Sequence, residues 1–554
     1  MEKHWLASYV PGTPETIDNG GYDSLRDMIE DKCREFGSQP AYANMGVQLS
    51  FDDMLRLSGE FGAYLQHEAG LEKGDRVALM MPNILQYPVA LFGVLRAGMT
   101  VVNVNPLYTK RELEHQLKDS GAKAIVIVEN FATTLEAVID KTPVKTVITT
   151  QIGDMMSGLK RSITNFVVKR VKKMVPPFSL PGAVSFRDAL KRGGAHQLTR
   201  HDISLSDLAF LQYTGGTTGV SKGAMLSNSN MVHNIQQSNA WLGSQMEGDD
   251  VIGITALPLY HIFSLEGNCF CLLAMGGLNV LITNPRDFDG FVKEISQYPF
   301  TYFTGVNTLF NALLATPGFA DIDFSKLRIT IGGGMAVQEA VARKWKDVTG
   351  THLIQAYGLT ETSPAAVINP FVEEPAFNGA VGLPISSTEV GIFDDDGNEV
   401  PINEVGEICI RGPQVMEGYW QRPEATEEVM LNDWLRTGDI GRIDEKGFVF
   451  IEDRKKDMIL VSGFNVYPNE IEDVIANMEG IVEVAAVGKP DEKSGEIVKV
   501  FVVRNSDAVT VESVRAHCKS NLTGYKVPKE VVFKEELPKT NVGKILRREL
   551  RDNG

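Results

Sequence analysis

Over roughly the first 450 residues, short uninterrupted apolar runs alternate with segments whose apolar residues have helical spacing. Residues 76–83 (RVALMMPN) and 99–106 (MTVVNVNP) predict buried strands. Residues 88–97, between them, predict a buried helix that ends at Gly98. This alternation is typical of sheets covered by helices, so we predict an α/β fold.

The pattern changes at residues 385–452, where short alternating strands are separated by turns such as DDDGN and DEKG. We expect a small antiparallel sheet or barrel there. The acidic DDDG turn lacks the later ligands of a calcium loop, so a hairpin turn is the better interpretation.

A compact C-terminal unit follows. Pro468 begins a predicted helix with apolar residues at i, i+3, i+4 and i+7, and two strand patterns and a second helix, near 511–522, come after it. DRKKD, at 453–457, has the charge density of an exposed linker. We therefore predict a large N-terminal region, residues 1–455, built of two α/β sheet subdomains and a small β-barrel, and a small mobile α/β domain, residues 456–554.

Composition narrows the function classes. The chain has 554 residues, 43% of them hydrophobic, and a net charge of −17. Such a length requires several cores. The negative charge argues against a nucleic-acid partner, and it requires local basic groups for any polyanionic substrate.

The cysteines and the N-terminus predict a cytoplasmic protein. The five cysteines are scattered, which is typical of buried thiols in a reducing compartment. The N-terminus, MEKHWLASYV, lacks the apolar stretch of a signal peptide, and no run is apolar for long enough to predict a transmembrane helix.

Residues 160–178 stand apart because they hold six basic residues and no acidic one. In a helix, Ile163, Phe166, Val167 and Val171 would share one face. Two interpretations remain open: peripheral contact with an anionic membrane, on the inner face, or a surface helix whose apolar stripe packs on the protein body.

The segment YTGGTTGVSKG, at 213–223, combines glycines, hydroxyls and one lysine, which suit a polyphosphate ligand. Its spacing differs from that of a Walker A loop, because Gly223 follows Lys222 and no helix begins there. Strand-like patterns flank it, so we predict a phosphate-binding loop that joins two strands.

Further motifs follow in order. Each has an ordinary structural interpretation alone, as a turn or a solvated surface, but together they indicate a nucleotide site. They are GGG at 332–334, QAYGLTE at 355–361, WLRTGD at 434–439, DRKKD at 453–457 and PKTNVGKILRREL at 538–550.

With these motifs in this order, the chain resembles the adenylate-forming superfamily of acyl-CoA synthetases, luciferases and peptide-synthetase adenylation domains over essentially its whole length. Residues 434–459 resemble the fatty acyl-CoA synthetase signature, and with residues 80–117 they are most similar to bacterial long-chain fatty acid–CoA ligases. The resemblance implies that ATP activates a fatty acid as an acyl-adenylate and that coenzyme A displaces AMP.

The resemblance also assigns roles to residues. Lys544 is implied as the catalytic cation of adenylation, Thr360 as a contact of the α-phosphate, Glu361 as the Mg²⁺ ligand, Asp439 and Arg454 as ribose contacts. The remaining implied nucleotide-binding residues lie in the motifs; they are Tyr213, Thr214, Gly215, Gly216, Thr217, Thr218, Gly219, Lys222, Gly223, Gly332, Gly333, Gly334, Tyr357 and Gly358.

For the thiol step the family swings its C-terminal domain about a hinge that corresponds to Lys456. The swing would remove Lys544 and bring Gly463 to the pantetheine path. His261 is implied beside the acyl site, with Gly305 along the acyl and CoA path in the apolar segment 301–314, a predicted tunnel wall.

The resemblance leaves a few alternatives open. Amino-acid-activating relatives carry an aspartate that LPLYHIFSLEGN, at 257–268, lacks, although Glu266 is present. A transferase that loads a carrier protein, a non-catalytic nucleotide- or lipid-binding homologue and a luciferase-type oxygenase are the rivals. We also expect a homodimer.

Overall fold

The structure, a computed structural model, describes residues 3–214, 221–246, 250–372, 377–491, 493–540 and 543–553. Five residues predicted to bind phosphate lie outside the described residues: Gly215, Gly216, Thr217, Thr218 and Gly219.

The strands of the described residues are, in chain order, β1 Pro40–Asn44, β2 Val47–Ser50, β3 Arg76–Met80, β4 Thr100–Asn103, β5 Ala124–Val128, β6 Thr146–Thr150, β7 Val184–Ser185, β8 Leu208–Thr214, β9 Lys222–Ser227, β10 Ile252–Thr255, β11 Leu278–Leu281, β12 Tyr302–Gly305, β13 Ile329–Gly333, β14 Leu353–Gly358, β15 Ala365–Ile368, β16 Leu383–Pro384, β17 Glu389–Phe393, β18 Gly406–Arg411, β19 Met430–Leu431, β20 Trp434–Ile443, β21 Val449–Arg454, β22 Ile459–Val461, β23 Phe464–Val466, β24 Ile481–Asp491, β25 Gly495–Arg504 and β26 Glu530–Phe533.

The α-helices of the same residues are α1 Leu25–Phe36, α2 Phe51–Ala63, α3 Gln86–Arg96, α4 Lys110–Ser120, α5 Ala132–Glu136, α6 Gly158–Phe166, α7 Phe186–Gly193, α8 Asn228–Met246, α9 Ile262–Ser264, α10 Cys271–Ala274, α11 Phe288–Ile295, α12 Asn307–Ala315, α13 Glu339–Thr349, α14 Pro423–Val429, α15 Pro468–Ala476, α16 Val511–Asn521 and α17 Arg547–Asn553. Within the described part of the chain, no helix has the length and apolar character needed to span a membrane.

Two large sheets form the N-terminal region. One has the order β7-β6-β5-β3-β4-β8-β9 and is parallel except for the final β8–β9 hairpin. The other has the order β16-β15-β14-β13-β12-β10-β11-β1-β2, with a parallel centre running from β13 and β14 to β1. The strand patterns predicted this arrangement, because continuous apolar runs such as RVALM are buried on both faces.

The third sheet, β17 to β21, is antiparallel and occupies the region where the pattern changes to short alternating strands. The DDDGN segment forms the predicted turn, in which the Asp394 backbone N–H donates to the Asn398 carbonyl oxygen at 2.9 Å. A hydrogen-bonded turn of this kind needs no calcium ion.

The fourth sheet, β22 to β26, forms the C-terminal unit with α15 and α16, whose apolar faces share one core with its strands. β21 ends at Arg454 and β22 begins at Ile459, so the predicted boundary between residues 455 and 456 falls in the connecting turn. Helix α3 begins at Gln86, two residues before the predicted start. Pro88 is tolerated there because the first turn has no backbone acceptor for its missing N–H.

Candidate active site

Two adjacent strands end in the predicted adenine-binding motifs. β13 ends in Gly332 and Gly333, which pair in parallel with Gln355 and Ala356 of β14. A Cβ atom on Gly333 would lie 3.1 Å from the Ala356 carbonyl oxygen. The carboxyl ends of parallel strands are where open α/β sheets bind ligands, and these glycines keep the space free of side chains.

Beyond β14, Tyr357 is linked to the next sheet. Its hydroxyl donates to Oδ2 of Asp439 at 2.7 Å, and the Arg454 Nε atom lies 3.4 Å from the other carboxylate oxygen. Asp439 and Arg454 are paired residues on β20 and β21. Burial, and then the Asp439 charge, raise the pKa of Tyr357, so this phenol stays a donor. Three residues predicted from separate motifs are therefore joined by one hydrogen bond and one ion pair.

Glu361 follows Gly358 in a short turn and is held by a residue that the sequence did not predict. The Tyr419 hydroxyl donates to Glu361 Oε1 at 2.6 Å, and the Glu361 carbonyl oxygen accepts from the Met416 backbone N–H at 2.8 Å. The Lys222 Nζ atom lies 5.1 Å from the centre of the Tyr419 ring. Tyr419 therefore connects the lysine of the glycine-rich loop to the predicted metal ligand, and no motif marks it.

The glycine-rich loop joins two antiparallel strands, as predicted: Thr214, at the end of β8, pairs with Lys222, at the start of β9. The Tyr213 side chain contacts other parts of the protein, and its predicted nucleotide contact stays a prediction. Its hydroxyl donates to Oδ2 of Asp119 at 2.7 Å, and its ring packs beside Gly223, where a Cβ would lie 3.1 Å from Cε2. This side chain thus supports the hairpin.

The predicted Mg²⁺ site requires side chains that can donate oxygen ligands. Among the described residues, no cluster of three or more His, Cys, Asp and Glu side chains is placed to hold a metal ion alone. Mg²⁺ needs no such cage, because it is typically bound by one or two carboxylates together with substrate phosphates and water. The Glu361 carboxylate, fixed by Tyr419, fits such a site.

Lys544 reaches the site from the C-terminal unit. A Cβ atom on Gly334 would lie 3.4 Å from Lys544 Cε. Burial, and then the nearby charge of Arg454, lower the pKa of Lys544 to about 8, while Asp439 and Glu361 act in the opposite direction. Lys544 thus lies beside Gly334 and within range of the charges of Arg454, Asp439 and Glu361.

A tight turn presents Lys544. The Thr540 N–H donates to the Lys544 carbonyl oxygen at 2.7 Å, and Gly543 has a φ of +83°. On α12, the Thr308 hydroxyl donates to the Gly543 carbonyl oxygen at 3.0 Å, and a Cβ at Gly543 would lie 2.7 Å from that hydroxyl. Glycine is therefore required at 543 both by backbone conformation and by the close approach of α12.

Gly463 lies elsewhere in this conformation. It has a φ of +85° in the exposed turn between β22 and β23, and a Cβ there would have no atom within 4 Å. Its neighbours stay within the C-terminal unit, since Phe464 stacks on Tyr525 with ring centroids 4.8 Å apart. Lys456 lies in the turn between β21 and β22. The structure therefore combines an inserted Lys544 with an exposed Gly463 turn.

His261 precedes α9, where its Nδ1 accepts from the Phe263 N–H at 3.4 Å. Burial, and then the charge of Lys544, lower its pKa to about 3, so the ring is neutral near pH 7. The expected position of this histidine beside the acyl site stays a prediction.

The predicted tunnel wall is packed in this conformation. A Cβ on Gly305 would lie 2.6 Å from Phe310 Cζ, and Phe310 packs edge-on against Trp345 with centroids 4.7 Å apart. Phe303 and Phe310 have no accessible surface. Segment 301–314 therefore contributes chiefly core packing, and Gly305 is explained by its contact with Phe310.

Sequence comparison identifies the family. Residues 29–420 match the model of the AMP-binding enzyme family, and residues 470–544 match the AMP-binding enzyme C-terminal domain. The chain belongs to the AMP-binding enzyme family, which confirms the superfamily expected from the motifs.

Within that family, the chain is 57% identical to a long-chain-fatty-acid–CoA ligase of Escherichia coli O6:H1, over 100% of this chain and 98% of the relative. It is 36% identical to the enzyme of that name from Bacillus subtilis, over 99% and 98% of the two chains. ATP-bound MatB from Rhodopseudomonas palustris has a TM-score of 0.81 at 28% identity, with 95% of this chain and 98% of that one covered. The likeness confirms the predicted α/β fold class with a separate C-terminal domain.

Proposed function

We propose that this protein joins long-chain fatty acids to coenzyme A, using ATP and forming an acyl-adenylate, with release of pyrophosphate and AMP. The observation that carries the proposal is the position of Lys544 beside Gly334, among Asp439, Arg454 and Glu361. The identity of 57% over the full chain to a ligase of this name supports the substrate class.

The first step needs charge neutralisation. A carboxylate is a poor acyl donor because its leaving group would be oxide, so the carboxylate oxygen attacks the α-phosphorus of ATP and pyrophosphate leaves. Two anions must meet, and a compact ammonium can contact both of them, which suits Lys544. Thr360 would contact the α-phosphate, and Asp439 would accept the ribose hydroxyls. Mg²⁺, held by Glu361 and the phosphates, would supply further positive charge at the phosphate oxygens.

In the second step, a different part of the C-terminal unit must lie beside the adenylate. The CoA thiol attacks the acyl carbon, AMP leaves, and the thiol proton is lost to solvent or base. Lys544 would leave the site as the C-terminal unit turns about Lys456, and the Gly463 turn would take its place. The exposed position of that turn here supports a two-conformation cycle.

We place the enzyme in the cytoplasm. ATP and CoA are available there, and all five cysteines are buried free thiols, as a reducing compartment favours.

The decisive experiment is pyrophosphate–ATP exchange without CoA, comparing acetate, octanoate, palmitate, benzoate and several amino acids. Exchange strongest with palmitate is the expected result, because each methylene buried adds about 0.8 kcal/mol of binding. Exchange strongest with benzoate or an amino acid would overturn the substrate class. No exchange with any acid would overturn the adenylation itself.

Lys544→Ala tests the role of the lysine. We expect a loss of adenylation on the order of 100-fold or more, as for removal of an oriented charge at a developing anion, with little change in thiolysis of supplied acyl-adenylate. Lys529→Ala, an exposed lysine of the same unit, is the matched control and should retain both steps. Equal loss of both steps in Lys544→Ala would refute the proposed cycle.

A further inference from the structure

The helix at residues 158–171, here called the basic helix, exposes its apolar side chains. It comprises α6 and a π-helical turn, Val167–Val171, and none of its residues is buried. The exposed fractions of Leu159, Phe166 and Val171 are 76%, 60% and 63%. The interpretation in which this apolar stripe packs on the protein body is therefore wrong.

Polar contacts attach the basic helix to the body instead. Asn165 Nδ2 donates to Oδ1 of Asp154 at 3.1 Å, while its Oδ1 accepts from the Gly153 N–H at 2.8 Å. Lys169 Nζ lies 3.2 Å from the Glu129 carboxylate. A surface helix normally turns its apolar face inwards, so this orientation is reversed.

The segment that carries the exposed apolar face is strongly basic. Segment 160–178 carries six basic residues and no acidic one, in a chain of net charge −17. Its partner must therefore be apolar and anionic together, and large enough to cover side chains spread over four helical turns. Anionic lipid bilayers have this chemistry, with acyl chains beneath a negative surface.

We propose that the basic helix binds the surface of an anionic bilayer, with Leu159, Ile163, Phe166 and Val171 inserted at the boundary between headgroups and acyl chains. The cytoplasmic leaflet has the required negative potential. The polar contacts of Asn165 and Lys169 hold the helix on the body, so the enzyme would be a peripheral protein carried by a preformed helix.

Flotation of the full-length protein with phosphatidylcholine vesicles, with and without phosphatidylglycerol, tests the proposal. We expect binding to the anionic vesicles and little to the neutral ones. Binding to the anionic vesicles should weaken when the ionic strength is raised from about 0.1 M to about 1 M, because the Debye length falls from about 10 Å to about 3 Å. Equal binding to both vesicles would overturn the proposal.

Charge variants locate the surface. Replacing Arg170, Lys172 and Lys173 by glutamine should weaken binding on the order of 100-fold, since each basic residue near an anionic surface contributes about a 5-fold factor. The matched control replaces three exposed lysines elsewhere and should bind like the unaltered protein; it changes Lys326, Lys344 and Lys346. Equal loss in both would contradict a local site.

Apolar variants distinguish insertion from simple charge attraction. Leu159→Gln with Phe166→Gln should weaken binding at least 10-fold, because exposed apolar area would no longer leave water. Leu107→Gln with Val405→Gln alters side chains that are also exposed, at 54% and 45%, and should bind normally. Unchanged binding of the first pair would refute insertion. Exchange activity with octanoate, unchanged in all variants, would show that each is folded.

Discussion

The surroundings of Lys544 disfavour the charged ammonium form of this side chain. Burial and the neighbouring Arg454 guanidinium lower its pKa to about 8, although the adenylation step needs the ammonium form. The nearby carboxylates of Asp439 and Glu361 only partly oppose this effect. An incoming fatty carboxylate and ATP would favour the charged form, so the lysine is prepared to gain interaction energy as the two anions bind.

This environment predicts a pH dependence. We expect kcat/KM for pyrophosphate–ATP exchange to fall as pH rises through about 8, since this parameter reports ionisation of the free enzyme and the neutral amine cannot bridge two anions. Lys544→Arg keeps its charge throughout this range, so its lower activity should lack the alkaline decline. An alkaline decline identical in both proteins would assign the ionisation to another group.

Glu266 is a second perturbed residue, and the motifs do not explain it. It is 2% exposed within the π-helical turn Leu265–Phe270, and Oε1 accepts from the Cys271 thiol at 3.1 Å. Burial raises its pKa to about 7. Burial therefore favours the neutral acid at this position.

The raised pKa makes stability pH-dependent. Between pH 4.5 and about 7 the folded protein keeps a proton that the unfolded chain has lost, so the contribution of Glu266 to stability is fully present below 4.5 and is lost as pH rises through 7. The full effect is about 3 kcal/mol. Glu266→Gln should remove this pH-dependent contribution. The melting temperature of the variant, relative to that of the unaltered protein, should therefore rise between pH 5 and pH 8. A constant difference in melting temperature would contradict the assigned pKa.

At this scale, the sequence predicted which residues meet but not how they are held. Tyr357 and Glu361 share one motif, while Asp439, Arg454 and Lys544 come from three others, and the family resemblance grouped them. Tyr419 and Glu266 were not assigned roles because their positions depend on tertiary contacts, with Glu361 in one case and Cys271 in the other. No local spacing encodes such contacts.

Among the elements, α12 donates two side-chain hydrogen bonds to the C-terminal unit. Thr308 Oγ1 donates to the Gly543 carbonyl oxygen, and Asn311 Nδ2 donates to that of Val482, each at 3.0 Å. Because Gly543 precedes Lys544, the first bond directly fixes the turn that carries the lysine. The sequence indicated α12 only as an apolar segment, and its polar residues proved to face another unit.

Thr308→Val combined with Asn311→Ala should therefore slow adenylation roughly 30-fold, since each of the two lost hydrogen bonds costs about 1 kcal/mol. Thiolysis of supplied acyl-adenylate should be unaffected, because it does not need this docking. Thr316→Val removes a hydroxyl just after α12 that donates to the Ala312 carbonyl oxygen, and it serves as the control. Equal slowing of the two steps by the double variant would mean that α12 has a general structural role instead.

Element types were more predictable than their ends and their orientation. The apolar period predicted α3 and β3 well, whereas the helix at 158–171 showed the period of a core-facing helix and yet faces outwards. Periodicity defines an apolar face but not what covers it. Here the contacts of Asn165 decide the orientation, and they join residues that no pattern relates.

The connection between the N-terminal region and the C-terminal unit is short and contains a buried charge. Asp453, just before the turn, is 1% exposed, and its Oδ1 lies 3.3 Å from Nη1 of Arg547 in α17. Burial raises the pKa of Asp453 to about 6 despite this partner. An ion pair therefore joins the N-terminal region to the C-terminal unit in this conformation. A rotation about Lys456 would have to separate it. The sequence predicted an exposed linker at 453–457, but Asp453 is buried and belongs, with Arg454, to β21. The position of the C-terminal unit depends on contacts such as this ion pair, which no sequence pattern shows.

The two-conformation cycle makes a distinct prediction for Gly463, because this residue is exposed here and would approach the adenylate only after the swing. Gly463→Leu should leave pyrophosphate exchange near normal and slow thiolysis of supplied acyl-adenylate on the order of 10-fold to 100-fold, as expected when a bulky side chain displaces a reactant by about 1 Å. The φ of +85° adds strain in both conformations.

Gly350→Leu is the matched control, since its φ is +76° and a Cβ there also has no atom within 4 Å. It introduces the same strain at the end of α13, away from the hinge, so both half-reactions should respond alike. If Gly463→Leu slows the two half-reactions equally, the Gly463 turn does not enter the site, and the swing about Lys456 must bring another element to the thiol. If only thiolysis slows, the C-terminal unit presents one face to the site for adenylation and a different face for thiolysis.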